Sequence, residues 1–220
     1  MKEISDLPLP KRILMAALFT FVEHGYDKAS MDEVAAVATT TKRTVYAHFG
    51  NKETLFRAAI GNAIELFLSE LPVLDPHGDP EHELLTFTTQ FSELSTWRRA
   101  VLLQRTVIAE AERLPDLGTI LHQDVIVAAE TRLAGFLAAR FEAKDVASDG
   151  GQEDWAMAMA RLLLNMATGP QRFATLMEAR TPAPVHPFVR PSGASDDWLR
   201  FAVRFFLQGL ATSATAKPAP

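Results

Sequence analysis

Between residues 41 and 49 the chain reads Thr41-Lys42-Arg43-Thr44-Val45-Tyr46-Ala47-His48-Phe49. Two cations, three hydroxyls and an imidazole lie within nine residues. These groups donate hydrogen bonds to phosphate oxygens and to base edges, so the chemistry on offer is recognition rather than bond breaking. Lys or Arg can pair with guanine O6 and N7, and either can equally grip a phosphate.

The stretch is too short to hold a helix by itself, so neighbouring elements must position it. Thr41 is placed to accept a hydrogen bond from the Thr44 N–H, and Val45 and Phe49 give the helix an apolar side. Just before it, Ser30-Met31-Asp32-Glu33 reads as a capping box, with Ser30 and Glu33 satisfying each other's backbone donors. That box starts a helix whose apolar positions are Met31, Val34, Ala35 and Ala38. Two capped helices joined by a short turn predict a helix-turn-helix, a unit that lays its second helix in the major groove of DNA.

Composition sets the frame. The chain has 220 residues, 48% of them hydrophobic, enough for a sizeable core in one large domain or two small ones. It has no cysteine, which excludes disulfides, thiolate metal sites and thiol nucleophiles. No apolar run approaches the ~20 residues of a membrane span. The first residues lack a signal peptide's apolar core, so a cytoplasmic location is expected. Net charge is −5, yet residues 1–60 hold eight Lys/Arg against seven Asp/Glu, and Lys42, Arg43, Lys52 and Arg57 face only Glu53 between 39 and 57. A small cationic end on an acidic body suits a nucleic-acid partner.

Periodicity predicts an all-α chain. Helix one starts near Pro10, carries Leu14, Ala17, Leu18 and Phe21 on one side, and ends at Gly25. Asn51 caps a fourth helix with Leu55, Phe56, Ala59, Ile60, Ala63, Ile64 and Phe67 as its stripe. Asp79 caps helix five, about 80–94, and Ser95 is read as the cap of helix six, to about 113. A longer helical region to about 143 carries Val125, Ala129, Leu133, Phe136 and Leu137. Residues 144–151 read as a turn. Two helices follow, about 152–168 (continuing irregularly to 179) and 196–212, separated by a loop with Pro182, Pro184, Pro187 and Pro191. The expected domains are a DNA-binding unit over 1–50, a connecting helix four over 51–71, a helical regulatory and dimerisation domain over 51–212, and a disordered tail over 213–220.

The last two helices are apolar almost all round, as when a helix is covered on more than one side. Leu162 and Met166 on the first, with Trp198, Phe201, Phe205 and Phe206 on the second, are therefore read as a dimer interface, a four-helix bundle about a two-fold axis. A core pair inside one protomer is the alternative.

The segment from Gly25 to Leu55, with Ser30-Met31-Asp32-Glu33-Val34-Ala35 and the spacing of Tyr46, Phe49, Lys52 and Leu55, resembles the DNA-binding domain of TetR/AcrR-type transcriptional regulators. Residues 106–117 are similar to a segment in one regulatory-domain group of that family. The resemblance implies that Thr41, Lys42, Arg43 and Thr44 open the recognition helix, with Lys42, Arg43 and Thr44 facing base edges and nearby phosphates. It implies phosphate contacts for Ser30, Tyr46, His48 and Lys52. A packed core tyrosine at 46 and a plain surface histidine at 48 are the alternatives. One departure stands out: where the family has Ala-Gly-Val-Ser through the turn, this chain has Ala38-Thr39-Thr40-Thr41, and a β-branched Thr39 resists a left-handed backbone.

The family resemblance further implies a small-molecule pocket in the acidic body. Phe87, Phe91, Trp97, Trp155 and Met159 are candidate lining, and each is equally an ordinary core residue. A shortage of obvious buried charges favours an apolar effector. His77, Asp79, Glu81 and His82 gather near one loop, where cap and surface roles outweigh a metal site; no metal or cofactor is expected. No nucleophile elbow, glycine-rich phosphate loop or His-Glu-x-x-His motif is present, so an enzyme is not expected. The expected function is a ligand-responsive repressor, binding a palindromic operator as a homodimer. A helical ligand-binding protein without specific DNA recognition is the runner-up.

Overall fold

The structure is a computed structural model and describes residues 7–141, 152–187 and 197–213. Among these no strand forms; the one bridge is an isolated pairing of Trp97 with Ala183. The expected turn at 144–151 and the tail beyond Ser213 lie outside the described residues, as do most of the second half of the proline loop and the first six residues. The chain divides into two compact units: residues up to Ser69 with Arg99–Val125, and Glu70–Arg98 with the chain from Ile126 onward.

The first unit contains α1 (Leu9–Lys28), α2 (Met31–Val37), α3 (Lys42–Phe49), α4 (Lys52–Glu70, whose last residue belongs to the second unit), most of α6 (Arg98–Ala109) and α7 (Pro115–Leu121). The compact unit thus extends past the expected boundary at residue 50 and takes in helix four and a later segment. On α1 the buried residues are Ile13, Ala16, Ala17, Thr20, Phe21 and Val22. Leu14 and Leu18, expected on the core stripe, are only half-buried. Both registers fit a helical period, and the one through Ile13 is the one that is buried. Gly25 breaks α1 where expected: its φ +76 and ψ 165 are non-helical, a conformation only glycine adopts without strain, and a short separate turn follows to Lys28.

The expected capping box at Ser30 is half formed. Ser30 Oγ accepts from the Asp32 N–H at 3.2 Å, while Glu33 turns to the His24 ring at 2.8 Å rather than back to residue 30. The Thr41, Asn51 and Asp79 caps stand as expected, accepting from the N–H groups of Thr44, Thr54 and His82 at 3.2, 2.8 and 2.8 Å.

The second unit contains α5 (Pro80–Thr96), α8 (Ala128–Arg140), α9 (Gln152–Leu176) and α10 (Asp197–Ser213). Helix α9 packs on α5, α8 and α10. Ser95 is not a cap: α5 runs through it to Thr96, and both hydroxyls donate back to the Ser92 carbonyl. The break falls at Trp97, and the next residue's N–H bonds the Ala183 carbonyl at 2.8 Å. The long helix expected after residue 116 is interrupted, with a wide π-type turn over His122–Val127 between α7 and α8. All five residues of its expected stripe are nevertheless buried. Helix α9 continues through Pro170 without a stop at 168. The proline forfeits one backbone bond, and burial of Leu163, Leu164, Ala167, Thr168 and Thr175 on both sides of it holds the helix together.

The turn between α2 and α3 carries the strain that its sequence foretells. Thr39 has φ +51, in the left-handed region. Its hydroxyl donates to the Ala38 carbonyl at 2.7 Å, and the Thr40 N–H bonds the Ala35 carbonyl at 2.9 Å. A non-glycine residue in this region costs about 1–2 kcal/mol. Replacing Thr39 by Gly should therefore stabilise the chain by about 0.5–1 kcal/mol after the glycine's own entropy is set against it. Urea unfolding of the two proteins measures this. A loss of stability would mean the threonine hydroxyl outweighs the backbone strain.

Candidate nucleic-acid interface

Val34 and Ala35 from α2, Ala38 at its C-cap and Val45 from α3 are buried, and this small apolar seam sets the angle between the two helices. Everything else at the start of α3 faces outward. Thr41, Lys42, Arg43, Tyr46, Ala47 and His48 are exposed, and Thr44 and Phe49 are half-buried. Tyr46 is 41% accessible, which rules out the core-tyrosine alternative. His48 is a surface residue beside the Phe49 ring. Ser30 is exposed at the start of α2, its Oγ engaged as acceptor and its hydroxyl proton left to donate.

The cations of this surface differ in what holds them. Lys42 Nζ lies 2.8 Å from Asp32 Oδ2, and that bond holds the Lys42 pKa above its ordinary value. Arg43 is exposed and has no ion pair or hydrogen bond to any described residue. Lys52 has partners within the chain that its spacing did not foretell. Its Nζ donates to the Asp27 carbonyl at 3.0 Å and lies 4.8 Å from the Tyr26 ring centre, and partial burial pulls its pKa down. In this arrangement Lys52 first ties α4 to the end of α1.

Tyr26 is the centre of a further network that the sequence did not disclose. Its ring meets Phe56 at 4.9 Å and Phe21 at 5.7 Å, and Phe21 meets Phe56 at 4.7 Å. Arg113 lies over the same ring at 4.4 Å and bonds Asp27 at 2.8 Å. Arg57 on α4 pairs with Glu53 at 2.8 Å and with Asp116 at the start of α7. The Arg57 guanidinium holds the Asp116 pKa below its ordinary 3.8. Because the folded value is the depressed one, this pair contributes above the ordinary carboxylate range and is lost only as pH falls through the folded value. It is therefore insensitive to pH near neutrality. Phe21 and Phe56 were legible as stripe residues, Glu53 and Arg57 as charges of the 39–57 stretch, and Arg113 and Asp116 as members of the segment 106–117, but nothing in the sequence paired them.

In the second unit Phe87 and Phe91 are fully buried, while Trp97, Trp155 and Met159 are half-buried. Trp97 meets the His186 ring edge-on at 4.6 Å. Of the residues read as a dimer interface, Leu162, Trp198, Phe201 and Phe205 are exposed, at 53, 43, 58 and 58%, and Met166 is half-buried. Phe206 is a correction: at 4% exposure it belongs to the protomer's own core, because one residue along a helix turns the side chain by about 100°. Trp198 Nε1 donates to the Ala167 carbonyl at 3.0 Å, which fixes α10 on α9 and leaves a row of rings outward. Asp79 is used as a helix cap and Glu81 pairs with Arg204 at 2.7 Å.

A capped, cation-bearing second helix with one free arginine is the geometry of a DNA reader, and comparison with known proteins agrees. Residues 13–59 match the model of bacterial regulatory proteins, tetR family, and residues 82–208 match that of the AefR-like transcriptional repressor C-terminal domain. The chain belongs to the TetR family of transcriptional regulators. The DNA-binding transcriptional repressor TetR of Mycobacteroides abscessus is 44% identical over 48 residues, 22% of this chain and 25% of that protein. The chain thus matches about a quarter of that relative's length. A TetR-family regulator from Mesorhizobium loti MAFF303099 shares the fold, with TM-score 0.73 and 22% identity over 95% of this chain and 98% of that one. The flavonoid-responsive regulator FrrA does likewise, with TM-score 0.68 and 24% identity over 93% and 96%.

Three substitutions separate the roles of the cations. Arg43→Ala should cost about 1–3 kcal/mol on the preferred site and flatten discrimination at one base pair. Lys52→Ala should weaken all sequences alike and also lower the unfolding midpoint, since it unties α4 from α1. Asp32→Asn should tighten binding several-fold by releasing Lys42 and removing a repelling charge near phosphate. Fluorescence-anisotropy isotherms on matched and mismatched duplexes, beside thermal unfolding curves, read all three. Identical patterns for Arg43 and Lys52 would refute the division of roles.

Proposed function

We propose that this regulator is a repressor that binds a palindromic operator as a homodimer, in the cytoplasm, and releases it when a small molecule binds its helical body. The observation that carries the DNA half is the exposed start of α3, where capped Thr41 precedes Lys42 and the unpaired Arg43. Ser30, Thr44, Tyr46 and His48 supply further donors around it. Operator and homodimer are read together because a major-groove reader of this size docks on half-sites about one DNA turn apart.

The exposed row of Trp198, Phe201 and Phe205, with Leu162 on α9, supports the dimer. Aromatic rings packed side by side on a surface are costly to leave in water and form the core of protein interfaces. Repression is supported by the printed descriptions of the matching C-terminal model and of the Mycobacteroides relative. A small-molecule effector is supported by the shared fold of a regulator named for its flavonoid response. Phe87, Phe91, Trp97, Trp155 and Met159 remain its candidate surroundings.

Release needs a lever, and the first unit holds one. Arg57 and Lys52 tie α4 to Asp116 and to the end of α1, so a shift of the 113–116 segment is felt at the base of the DNA-reading helices. That segment continues in sequence into helices of the second unit. A ligand favouring the shifted arrangement lowers DNA affinity, and DNA lowers ligand affinity by the same factor. The Thr39 turn does not favour the runner-up, since Thr39 adopts the positive φ usual for glycine and the α2–α3 seam stays packed.

Two measurements test this reading. A gel shift on DNA flanking the protein's own gene should give one discrete complex at nanomolar protein; no complex above competitor DNA would leave only the helical ligand-binding reading. Sedimentation should show a dimer for the parent and a folded monomer for Phe205→Asp, whereas Phe206→Asp should unfold the protomer because it buries an unpaired charge. A parent that stays monomeric at tens of micromolar would exclude the bundle.

A further inference from the structure

Among the described residues of the second unit, Arg172 of α9 has a placement that neither the family reading nor the fold explains. Its guanidinium lies 5.3 Å from the centre of the Phe91 ring, and its Nε is sealed from solvent without a hydrogen-bond partner. Burial lowers its pKa, and no carboxylate among the described residues acts to raise it. The contrast within the same unit is Glu130, which is fully buried and has Arg161 at 3.4 Å, whereas Arg172 is half-buried. A guanidinium stays charged at any ordinary pH, so the loss of solvent around its sealed side must be compensated, and one ring face does so only in part. On α5, Gln90 Nε2 and Ser92 Oγ, which flank Phe91 in the chain, are likewise buried without partners. Each of these atoms can donate a hydrogen bond.

A half-buried cation over an aromatic ring, its Nε sealed and unmet, describes a receptor for one negative charge attached to an apolar body. A carboxylate fits the guanidinium fork in two parallel hydrogen bonds, and an attached ring extends over apolar surroundings of the kind Phe87 and Phe91 provide. We infer that the effector of this regulator is a small aromatic monocarboxylate whose charge is met by Arg172 over Phe91. The inference rests on the small-molecule reading above and sharpens it: the apolar effector expected from a lack of buried charge gives way to an acidic one.

The test is thermal unfolding of the full chain and of Arg172→Met at neutral pH, each alone, with benzoate and with benzamide at equal millimolar concentration. In the parent, benzoate should raise the midpoint by about 2–4 °C and benzamide should leave it in place. In Arg172→Met the benzoate shift should vanish. Without additive the variant should unfold no lower than the parent, because a half-buried charge with no carboxylate partner has been replaced by a side chain of similar reach. Equal shifts for benzoate and benzamide in the parent, including none for either, would overturn the assignment, as would a benzoate shift that survives in the variant. Should Arg172→Met fail to fold, Arg172 is structural and the inference falls. Release of operator by neutral apolar compounds alone would remove this inference and leave the ligand-responsive reading intact. Failure of the parent to bind any DNA would remove that reading without altering the thermal shifts.

Discussion

The aromatic contact among Phe21, Tyr26 and Phe56 is the constraint on which the DNA-reading end depends. It joins the end of α1 to α4, with ring centres 4.7–5.7 Å apart, and aromatic pairs at such spacing add about 0.5–1.5 kcal/mol beyond their buried area. Two cations, Lys52 and Arg113, lie over the Tyr26 ring. Both also bond Asp27, one through its carbonyl and one through its carboxylate. With α1 and α4 held, the short α2 and α3 need only the seam of Val34, Ala35, Ala38 and Val45 to be placed, and neither would persist as an isolated helix.

This arrangement gives the cations near the interface distinct employments. Lys52 and Arg113 are committed inward, Lys42 is shared with Asp32, and Arg43 is unengaged by described residues. A net charge of −5 is then no obstacle to DNA binding. The local charge around the start of α3 is set by a few side chains, and it matters more to a polyanionic partner than the net charge of the whole chain.

What was legible in the sequence was local. The caps at Thr41, Asn51 and Asp79 depend on an acceptor and an N–H three residues on, and all three formed. The stripe from Val125 to Leu137 depends only on helical period. The failures came from partners distant in the chain. Glu33 was drawn off its capping box by His24, and Ser95 lost its cap role because the break at Trp97 is held by Ala183. Arg57 with Asp116, and Arg172 over Phe91, join positions that no spacing rule connects. Phe205 and Phe206 show the limit of composition: both are apolar, and only the register of α10 tells which faces out.

The central claim is that a pair of these recognition helices reads DNA as a unit. It is tested most directly by selecting bound fragments from a pool of random-sequence duplexes and sequencing what is retained. The account predicts an inverted repeat, with half-site centres one helical turn apart (about 10–10.5 base pairs) or a whole multiple of that. Retention of all sequences alike, or enrichment of a single motif without its inverted copy, would contradict it.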